Sequence, residues 1–176
     1  IGGDLYAILW DAETEKLYAL NASGYSPKNL TIDYFKDNNY KKIPAYGPLP
    51  VTVPGCVDGW FELHKKFGKF SMDKILKPAI DYAENGFPLT ELIAYYLQLS
   101  VPRFADKYPN ILETYTTDGK HVPGKGDIFK NPDLAKTYRM LIKEGRDGFY
   151  KGKTAKIIAK FIQEQGGFLS YEDMSE

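Results

Sequence analysis

The order of apolar and polar residues predicts a β-hairpin at the front of the chain. Residues 5–10 form a dense apolar run of strand length, residues 16–20 form a second one, and the segment between them is short and polar. Two such runs joined in this way are typical of an antiparallel hairpin. Because the first run alternates little, we expect its strand to be covered on both faces.

Behind the hairpin, apolar residues recur at the three-and-four spacing of amphipathic helices. The predicted helices begin near Thr31, Gly55, Ser71, Thr90, Asn131 and Lys153. The fourth is predicted to end near Pro102, because proline interrupts a helix. Residues 103–131 contain prolines, glycines and few apolar pairs, so they are predicted to be irregular. A hairpin followed by about six helices is an α+β arrangement with the strands segregated at the front.

Both ends of the chain are expected to be cuts, which makes it an internal part of a longer protein. Residue 1 is isoleucine, it leads directly into an apolar strand, and no signal peptide precedes it. At the other end, Ser170 is followed three residues later by Asp173, an arrangement that caps the start of a helix. Only about one helical turn follows, and one turn is unstable without tertiary packing.

Composition excludes several classes of protein. Hydrophobic residues make up 43% and aromatic residues 15% of the chain, which excludes a disordered protein. Lys and Arg together number 23, and so do Asp and Glu, so the net charge is zero and no basic field attracts nucleic acid. No apolar run approaches the roughly 20 residues that span a bilayer. The single cysteine, Cys56, cannot form an internal disulfide.

The residue types that most often carry chemistry indicate no mechanism by themselves. His64 and His121 have no cysteine or histidine neighbours at metal-ligand spacing, so no metal site is predicted. His64 flanks the apolar face of a helix and His121 lies in a turn-rich loop, which fits packing or exposed side chains. Cys56 stands at a helix N-terminus, a position that many reactive cysteines occupy, so a nucleophile is one interpretation. A small buried thiol is the simpler interpretation of this residue.

Several segments, taken together, resemble the gamma-glutamyltranspeptidase family. Residues 50–69 match the V-P-G-x-V-x-G-W-x-x-x-H signature of its large subunit and the aromatic-glycine pair that follows it. Residues 1–4 resemble its glycine-rich start, and residues 78–90 resemble its P-A-I-x-x-A-x-x-G-F helix end. Residues 148–152 and 166–174 resemble its G-x-F-Y-x-G motif and the G-G motif that follows. The resemblance covers essentially the whole chain.

This resemblance implies an N-terminal-nucleophile hydrolase, a four-layer αββα sandwich of which residues 1–176 are a partial large-subunit domain. In the family a proenzyme cuts itself into two subunits. The new N-terminal threonine of the small subunit attacks a gamma-glutamyl amide such as glutathione, with its own amine as the base. The resemblance therefore places the catalytic residues outside this chain, makes the small subunit its partner and implies no cofactor. The expected substrate is a small gamma-glutamyl or acyl amide. Localisation stays open, although many relatives are periplasmic or extracellular.

The loop after the second strand departs from the family pattern. Transpeptidases carry an arginine there that grips the α-carboxylate of the substrate, and Ser23 stands at that position here. The resemblance assigns to substrate binding the residues Asn21, Ser23, Gly24 and Tyr25. A serine hydroxyl cannot replace a bidentate guanidinium. Arg103 or the rest of the protein is an alternative carboxylate anchor. Two alternative functions therefore remain, namely an acylase or amidohydrolase with a non-glutamyl substrate and a non-catalytic, degenerate homologue.

Overall fold

The computed structural model describes residues 2–176, which form two compact units. One unit comprises the residues up to Phe70 together with Lys143–Glu176, and the other comprises Ser71–Ile142. Ile1, the first residue of the glycine-rich start, lies outside the described residues. The strands are β1 (Leu5–Asp11), β2 (Lys16–Ala22), β3 (Phe87–Pro88) and β4 (Ile128–Phe129). The helices are α1 (Ile32–Asp37), α2 (Cys56–Phe67), α3 (Met72–Asn85), α4 (Glu91–Ala105), α5 (Asn110–Tyr115), α6 (Pro132–Tyr150), α7 (Lys153–Glu164) and α8 (Tyr171–Ser175).

The predicted hairpin is confirmed. β1 and β2 pair antiparallel over their full length, from Leu5 opposite Ala22 to Asp11 opposite Lys16. Asp11 closes the turn, because its carboxylate accepts a hydrogen bond from Thr14 Oγ1 at 2.6 Å. The hairpin belongs to the first unit, and its second strand leads directly into the loop predicted to bind substrate.

One face of the hairpin is exposed among the described residues, so this part of the protein does not itself supply the predicted cover on both faces of β1. Side chains alternate along β1, and Tyr6, Ile8 and Trp10 lie on the exposed face beside Leu17. Ile8 is 80% exposed. The run is dense because apolar residues occupy both faces, yet nothing among residues 2–176 covers the outer one.

The capping residues identified in the sequence mark the observed helix starts. Thr31, Thr90, Asn131 and Ser170 each accept a hydrogen bond from the backbone N–H three residues further on. Ser71 occupies the corresponding position before α3 without such a bond. These bonds satisfy N–H groups that have no partner within the helix, and so they fix where each helix begins.

Two predictions for the second unit were wrong. α4 continues past Pro102 to Ala105, and Val101, which is 1% exposed, packs the turn that the proline weakens. The segment 103–131 is also less irregular than predicted, since it contains α5 and β4. β4 pairs with β3, and the ring of Tyr115 stacks on Phe129 with centroids 6.0 Å apart. Phe129 is far from Phe87 and from Tyr115 in the sequence, so the spacing of apolar residues did not reveal these contacts.

A glycine breaks α6 where the sequence predicts a helix end. Gly145 has φ 67° and ψ −160°, a left-handed backbone that only glycine adopts without strain. The short helical segment after Gly145 places Arg146 and Tyr150 in the first unit.

Among the described residues, no helix has both the length and the apolar character needed to cross a membrane.

Candidate substrate-binding loop

The residues predicted to bind substrate lie at the end of β2 and in the loop that follows it. Asn21 is still paired with Tyr6 in the hairpin, whereas Ser23, Gly24 and Tyr25 lie beyond the strand. Ser23 N donates to Asn21 Oδ1 at 2.9 Å, a local turn in which the asparagine side chain replaces a backbone acceptor. Gly24 N donates to Asp4 Oδ1 at 3.4 Å, which ties the loop to the residue that precedes β1. The loop therefore leaves the hairpin in a fixed direction.

A close backbone contact holds the loop against the segment that precedes α2. Tyr25 O accepts a hydrogen bond from Val53 N at 3.1 Å. A Cβ atom on Gly24 would lie 1.6 Å from Val53 O, and one on Gly55 would lie 2.2 Å from Ala22 O. Because both neighbours are backbone atoms, rotation of a side chain relieves neither clash. Glycine at both positions is what allows the two backbones to approach this closely.

The far end of the loop is attached to α8. Tyr25 OH donates to Asp173 O at 3.2 Å, and Lys28 N donates to Asp173 Oδ1 at 3.1 Å. Pro27 is buried between these two attachments. At the surface, Lys28 also forms an ion pair with Glu176. The loop is thus held at its start by the hairpin and at its end by a helix 145 residues further along the chain.

The side chains at the tip of the loop face solvent. Asn21, Ser23 and Tyr25 are exposed, and Gly24 is half-buried. The Asn21 amide oxygen accepts a hydrogen bond from Ser23 N and the Tyr25 hydroxyl donates to Asp173 O, whereas the Ser23 hydroxyl makes no hydrogen bond to the described residues. The tip offers a ligand a hydroxyl and an aromatic ring, and it carries no positive charge. Such a surface can accept hydrogen bonds and stack, but it cannot form an ion pair with a carboxylate.

Arg103, the alternative carboxylate anchor, lies on α4 in the second unit. Its guanidinium carbon is 5.5 Å from the centroid of the Phe104 ring. The chemistry of a guanidinium fits a carboxylate, but its role as an anchor remains a prediction.

A buried tyrosine supports the segment against which the loop packs. Tyr150 is 2% exposed, its hydroxyl donates to Pro54 O, and it accepts a hydrogen bond from Asp58 N at 3.0 Å. Arg146 forms an ion pair with Asp58 and lies over the Tyr150 ring, 4.6 Å from its centroid. Burial raises the pKa of Tyr150 to about 12, so the hydroxyl keeps its proton and remains a donor at neutral pH.

Removing this hydroxyl is expected to destabilise the first unit. Tyr150→Phe leaves Pro54 O and Asp58 N without their partner, and an unsatisfied buried polar group costs about 1–3 kcal/mol. The measurement is the free energy of unfolding of the full-length protein from urea titration. Tyr6→Phe is the matched control, because Tyr6 is 65% exposed on the hairpin. Equal stability of the two variants would contradict this account of Tyr150.

Protonation of Asp173 is expected to release the end of the loop. Burial alone would raise its pKa, but the hydrogen bonds from Lys28 N and Ser170 outweigh it and hold the pKa below the ordinary value of 3.8. A lowered folded-state pKa means that the bonds contribute fully to stability above about pH 4 and are lost as the pH falls further. Unfolding midpoints compared between about pH 6 and about pH 3 test this. The parent should lose more stability than Asp173→Asn, which does not titrate, and parallel curves would exclude the effect.

Comparison with known proteins decides the family. The family model for gamma-glutamyltranspeptidase matches residues 1–176. The chain belongs to the gamma-glutamyltranspeptidase family. Among its relatives, the glutathione hydrolase-like YwrD proenzyme of Bacillus subtilis is 33% identical over 174 residues, which covers 98% of this chain and 32% of that protein. The glutathione hydrolase proenzyme of the same species is 32% identical over 181 residues, covering 99% of this chain and 30% of that protein. The chain thus spans about a third of the length of these relatives.

Solved structures of the gamma-glutamyltranspeptidase family share the fold of this chain. The gamma-glutamyltranspeptidase of Helicobacter pylori superposes with a TM-score of 0.91 at 31% identity, covering 100% of this chain and 51% of that one. A cephalosporin acylase from Bacillus halodurans gives a TM-score of 0.91 at 34% identity, covering 99% of this chain and 33% of that one. The predicted fold class is confirmed, since a hairpin followed mostly by helices is part of the N-terminal-nucleophile hydrolase fold.

Several residues that shape the loop were missed in the sequence. Asp4 and Val53 lie in segments that carry the family resemblance, but the contacts by which they and Lys28 hold the loop were not predicted, since these contacts leave no pattern in a single sequence. Asp173 had a signal, the Ser-x-x-Asp spacing, but this spacing indicates only a helix start. The position of the loop thus depends on partners brought close by the fold.

The histidines and the cysteine lie away from this loop's hydrogen bonds. His64 Nε2 lies 2.7 Å from Phe70 O at the end of α2, and His121 is exposed beside Asp118. Cys56 is half-buried, where a fully buried thiol had been the simpler interpretation, and its backbone N donates to Gly3 O at 2.8 Å. Residues 2–176 bring no three histidine, cysteine or acidic side chains together in a way that would hold a metal ion.

Proposed function

We propose that this chain is part of the large subunit of an amide-cleaving proenzyme, a hydrolase or transferase of gamma-glutamyl or related acyl amides. The observation that carries the proposal is the family match over residues 1–176, which includes the loop expected to line the substrate pocket. Relatives that match the whole chain are named glutathione hydrolase proenzymes. In this proposal residues 1–176 form a partial large-subunit domain.

In the proposed reaction, the small subunit of the same proenzyme supplies an N-terminal threonine. Its hydroxyl attacks the amide carbonyl while its α-amine takes the proton. The amide C–N bond then breaks, the amine leaves with that proton, and the acyl group passes from the threonine ester to water or to an amino acid, which restores the threonine hydroxyl. This chain contributes one wall of the acyl pocket through Asn21, Ser23, Gly24 and Tyr25. The chemistry needs only the threonine and its own amine, so we propose no cofactor.

Ser23 favours a second candidate, an acylase or amidohydrolase whose substrate lacks the α-carboxylate. The exposed tip of the loop carries a hydroxyl and a ring but no positive charge. A structure with the same fold and 34% identity is described as a cephalosporin acylase. A neutral pocket wall suits an uncharged acyl group better than a glutamyl group, whose charged α-carboxylate is costly to desolvate without a partner.

The test is self-cleavage and amide turnover by the full-length protein. We expect intact-mass measurement to show two chains, the smaller beginning with threonine, and we expect the cleaved protein to release an amine from an acyl amide. Replacing that threonine by alanine should leave a single uncleaved chain without turnover. An uncleaved and inactive parent would instead identify a degenerate homologue.

A further inference from the structure

Asp173 connects two parts of the first unit through the two oxygens of one buried carboxylate. The residue is 1% exposed. Its Oδ2 accepts hydrogen bonds from Ser170 N at 2.9 Å and Ser170 Oγ at 2.8 Å, which start α8. Its Oδ1 accepts a hydrogen bond from Lys28 N at 3.1 Å. The first set of bonds explains a helix cap, but the bond to Lys28 is not needed for capping.

A second bond from the same residue reaches the loop at a different point. The backbone oxygen of Asp173 accepts a hydrogen bond from Tyr25 OH at 3.2 Å. Tyr25 and Lys28 lie on either side of the buried Pro27, so both ends of this short segment are attached to one residue of α8. The upstream side of the loop is fixed independently, by Asp4 and by the contact between Gly24 and Val53.

We infer that Asp173 is a positioning residue that holds the loop Asn21–Tyr25 in place through Lys28 and Tyr25 and so sets which acyl group the pocket accepts. The inference rests on the proposed function, because it requires this loop to line the acyl pocket. Asp173 itself is buried, so it acts through the residues that it binds. It determines where the Ser23 hydroxyl and the Tyr25 ring stand.

The charge state of the side chain matters for this role. An ionised aspartate is an acceptor on both oxygens, so it can bind Ser170 and Lys28 together. An asparagine has one acceptor oxygen and one NH₂ donor. If its oxygen faces Ser170, its NH₂ group meets the N–H of Lys28. In the reverse orientation its NH₂ group meets the N–H of Ser170, although Ser170 Oγ still accepts from the N–H of residue 173. Asp173→Asn therefore breaks one of the two connections with almost no change in side-chain volume.

The experiment compares loop mobility and kinetics in the full-length protein. In Asp173→Asn we expect amide hydrogen exchange of a peptide covering residues 21–28 to become faster by about tenfold, the effect of losing one hydrogen bond to a charged group. We expect KM for the best acyl amide substrate to rise by a similar factor of about ten, with kcat changed by less than about twofold, because the nucleophile is untouched.

Three further variants separate positioning from folding. Tyr25→Phe removes the second attachment through a half-exposed side chain, and it should shift exchange and KM in the same direction even if Asp173→Asn folds poorly. Tyr171→Phe is its matched control, because that hydroxyl binds Lys151 O and not the loop. Ser170→Ala weakens the start of α8 while leaving the bond between Lys28 and Asp173, so it should leave KM unchanged.

Each outcome decides the inference. Faster exchange together with a raised KM in Asp173→Asn and Tyr25→Phe, but not in the two controls, supports it. Unchanged exchange of residues 21–28 in both Asp173→Asn and Tyr25→Phe overturns it, as does faster exchange with an unchanged KM. An equal effect of Ser170→Ala on KM also overturns it, since the residue would then act only through folding of α8. If the parent turns over no amide, the proposed function fails, and a role in positioning an acyl pocket falls with it. The exchange data would then report only whether Asp173 holds the loop.

Discussion

Replacing Ser23 by arginine is expected to raise the specificity constant of the full-length protein for a gamma-glutamyl anilide. The parent should turn this substrate over about 100-fold less efficiently than an amide without the α-carboxylate. Loss of a charge-assisted pair costs roughly 3 kcal/mol, and about 1.36 kcal/mol corresponds to a factor of ten. A guanidinium at position 23 points from an exposed loop tip and can supply the missing charge.

Ser23→Arg should recover only part of the roughly 100-fold deficit in the specificity constant for the gamma-glutamyl anilide, and the structure gives the reason. Gly24 lies so close to Val53 O that the backbone of this loop follows a path available only to glycine. The backbone at position 23 is held by this contact and is not arranged to present an arginine. We therefore expect that the guanidinium of Arg at position 23 does not form both parallel N–H bonds to the substrate carboxylate. The gain should appear mainly as a lower KM, because the clamp acts on substrate binding.

The control is Ser26→Arg, which adds the same charge to an exposed position of the same loop. It should leave the specificity constant for the anilide close to that of the parent. Efficient turnover of the gamma-glutamyl anilide by the parent, unchanged or reduced in Ser23→Arg, would show that the carboxylate is anchored elsewhere and that this loop does not select the acyl group.

Gly24→Ala is expected to be the most damaging small substitution in the loop. Its Cβ would stand 1.6 Å from Val53 O, so one of the two backbones has to move. Overpacking of this kind typically costs about 1–3 kcal/mol, and occasionally more. The displaced loop should also lose most amide turnover, since Ser23 and Tyr25 flank the residue that moves. Urea denaturation and the specificity constant of the full-length protein measure the two effects.

Gly2→Ala is the matched control for this substitution. A Cβ on Gly2 would have no heavy atom within 4 Å, so the same chemical change meets open space. It should shift the free energy of unfolding by less than about 0.5 kcal/mol. A Gly24→Ala protein as stable and active as Gly2→Ala would mean that the contact with Val53 is not required.

The sequence predicted the elements better than it predicted their partners. Hairpin strands and helix starts depend on local signals, such as the polar turn after Asp11 or the hydroxyl of Thr90, and these were identified correctly. The continuation of α4 beyond Pro102 depends on the burial of Val101, which no local rule contains. In the same way, the exposure of the outer face of β1 depends on which other segments pack beside the strand, and the residue pattern of the strand does not contain that information.

The same distinction between local signals and distant partners holds for the candidate site. The family resemblance predicted the loop as part of the substrate pocket and placed Ser23 where the family carries an arginine, and both statements remain predictions. The reason for Gly24 became visible only in the distance to Val53 O. The second partner of Asp173 is 145 residues away in sequence, and its spacing to Ser170 had already been explained by a helix cap. When a local pattern already explains a residue, the sequence does not show that the same residue also binds a partner far away in the chain.

The attachment of Lys28 to Asp173 also fixes when the loop can mature during synthesis. These residues are 145 positions apart in the sequence. Because ribosomes add roughly 5–20 residues per second, Asp173 is synthesised roughly 7–30 seconds after Lys28. The hairpin and the contact of Gly24 with Val53 need no residue beyond Val53 and can form earlier. A nascent chain released before residue 173 therefore carries a loop anchored at one end, and the surface that we propose for recognising acyl groups is completed among the last steps in folding of the first unit.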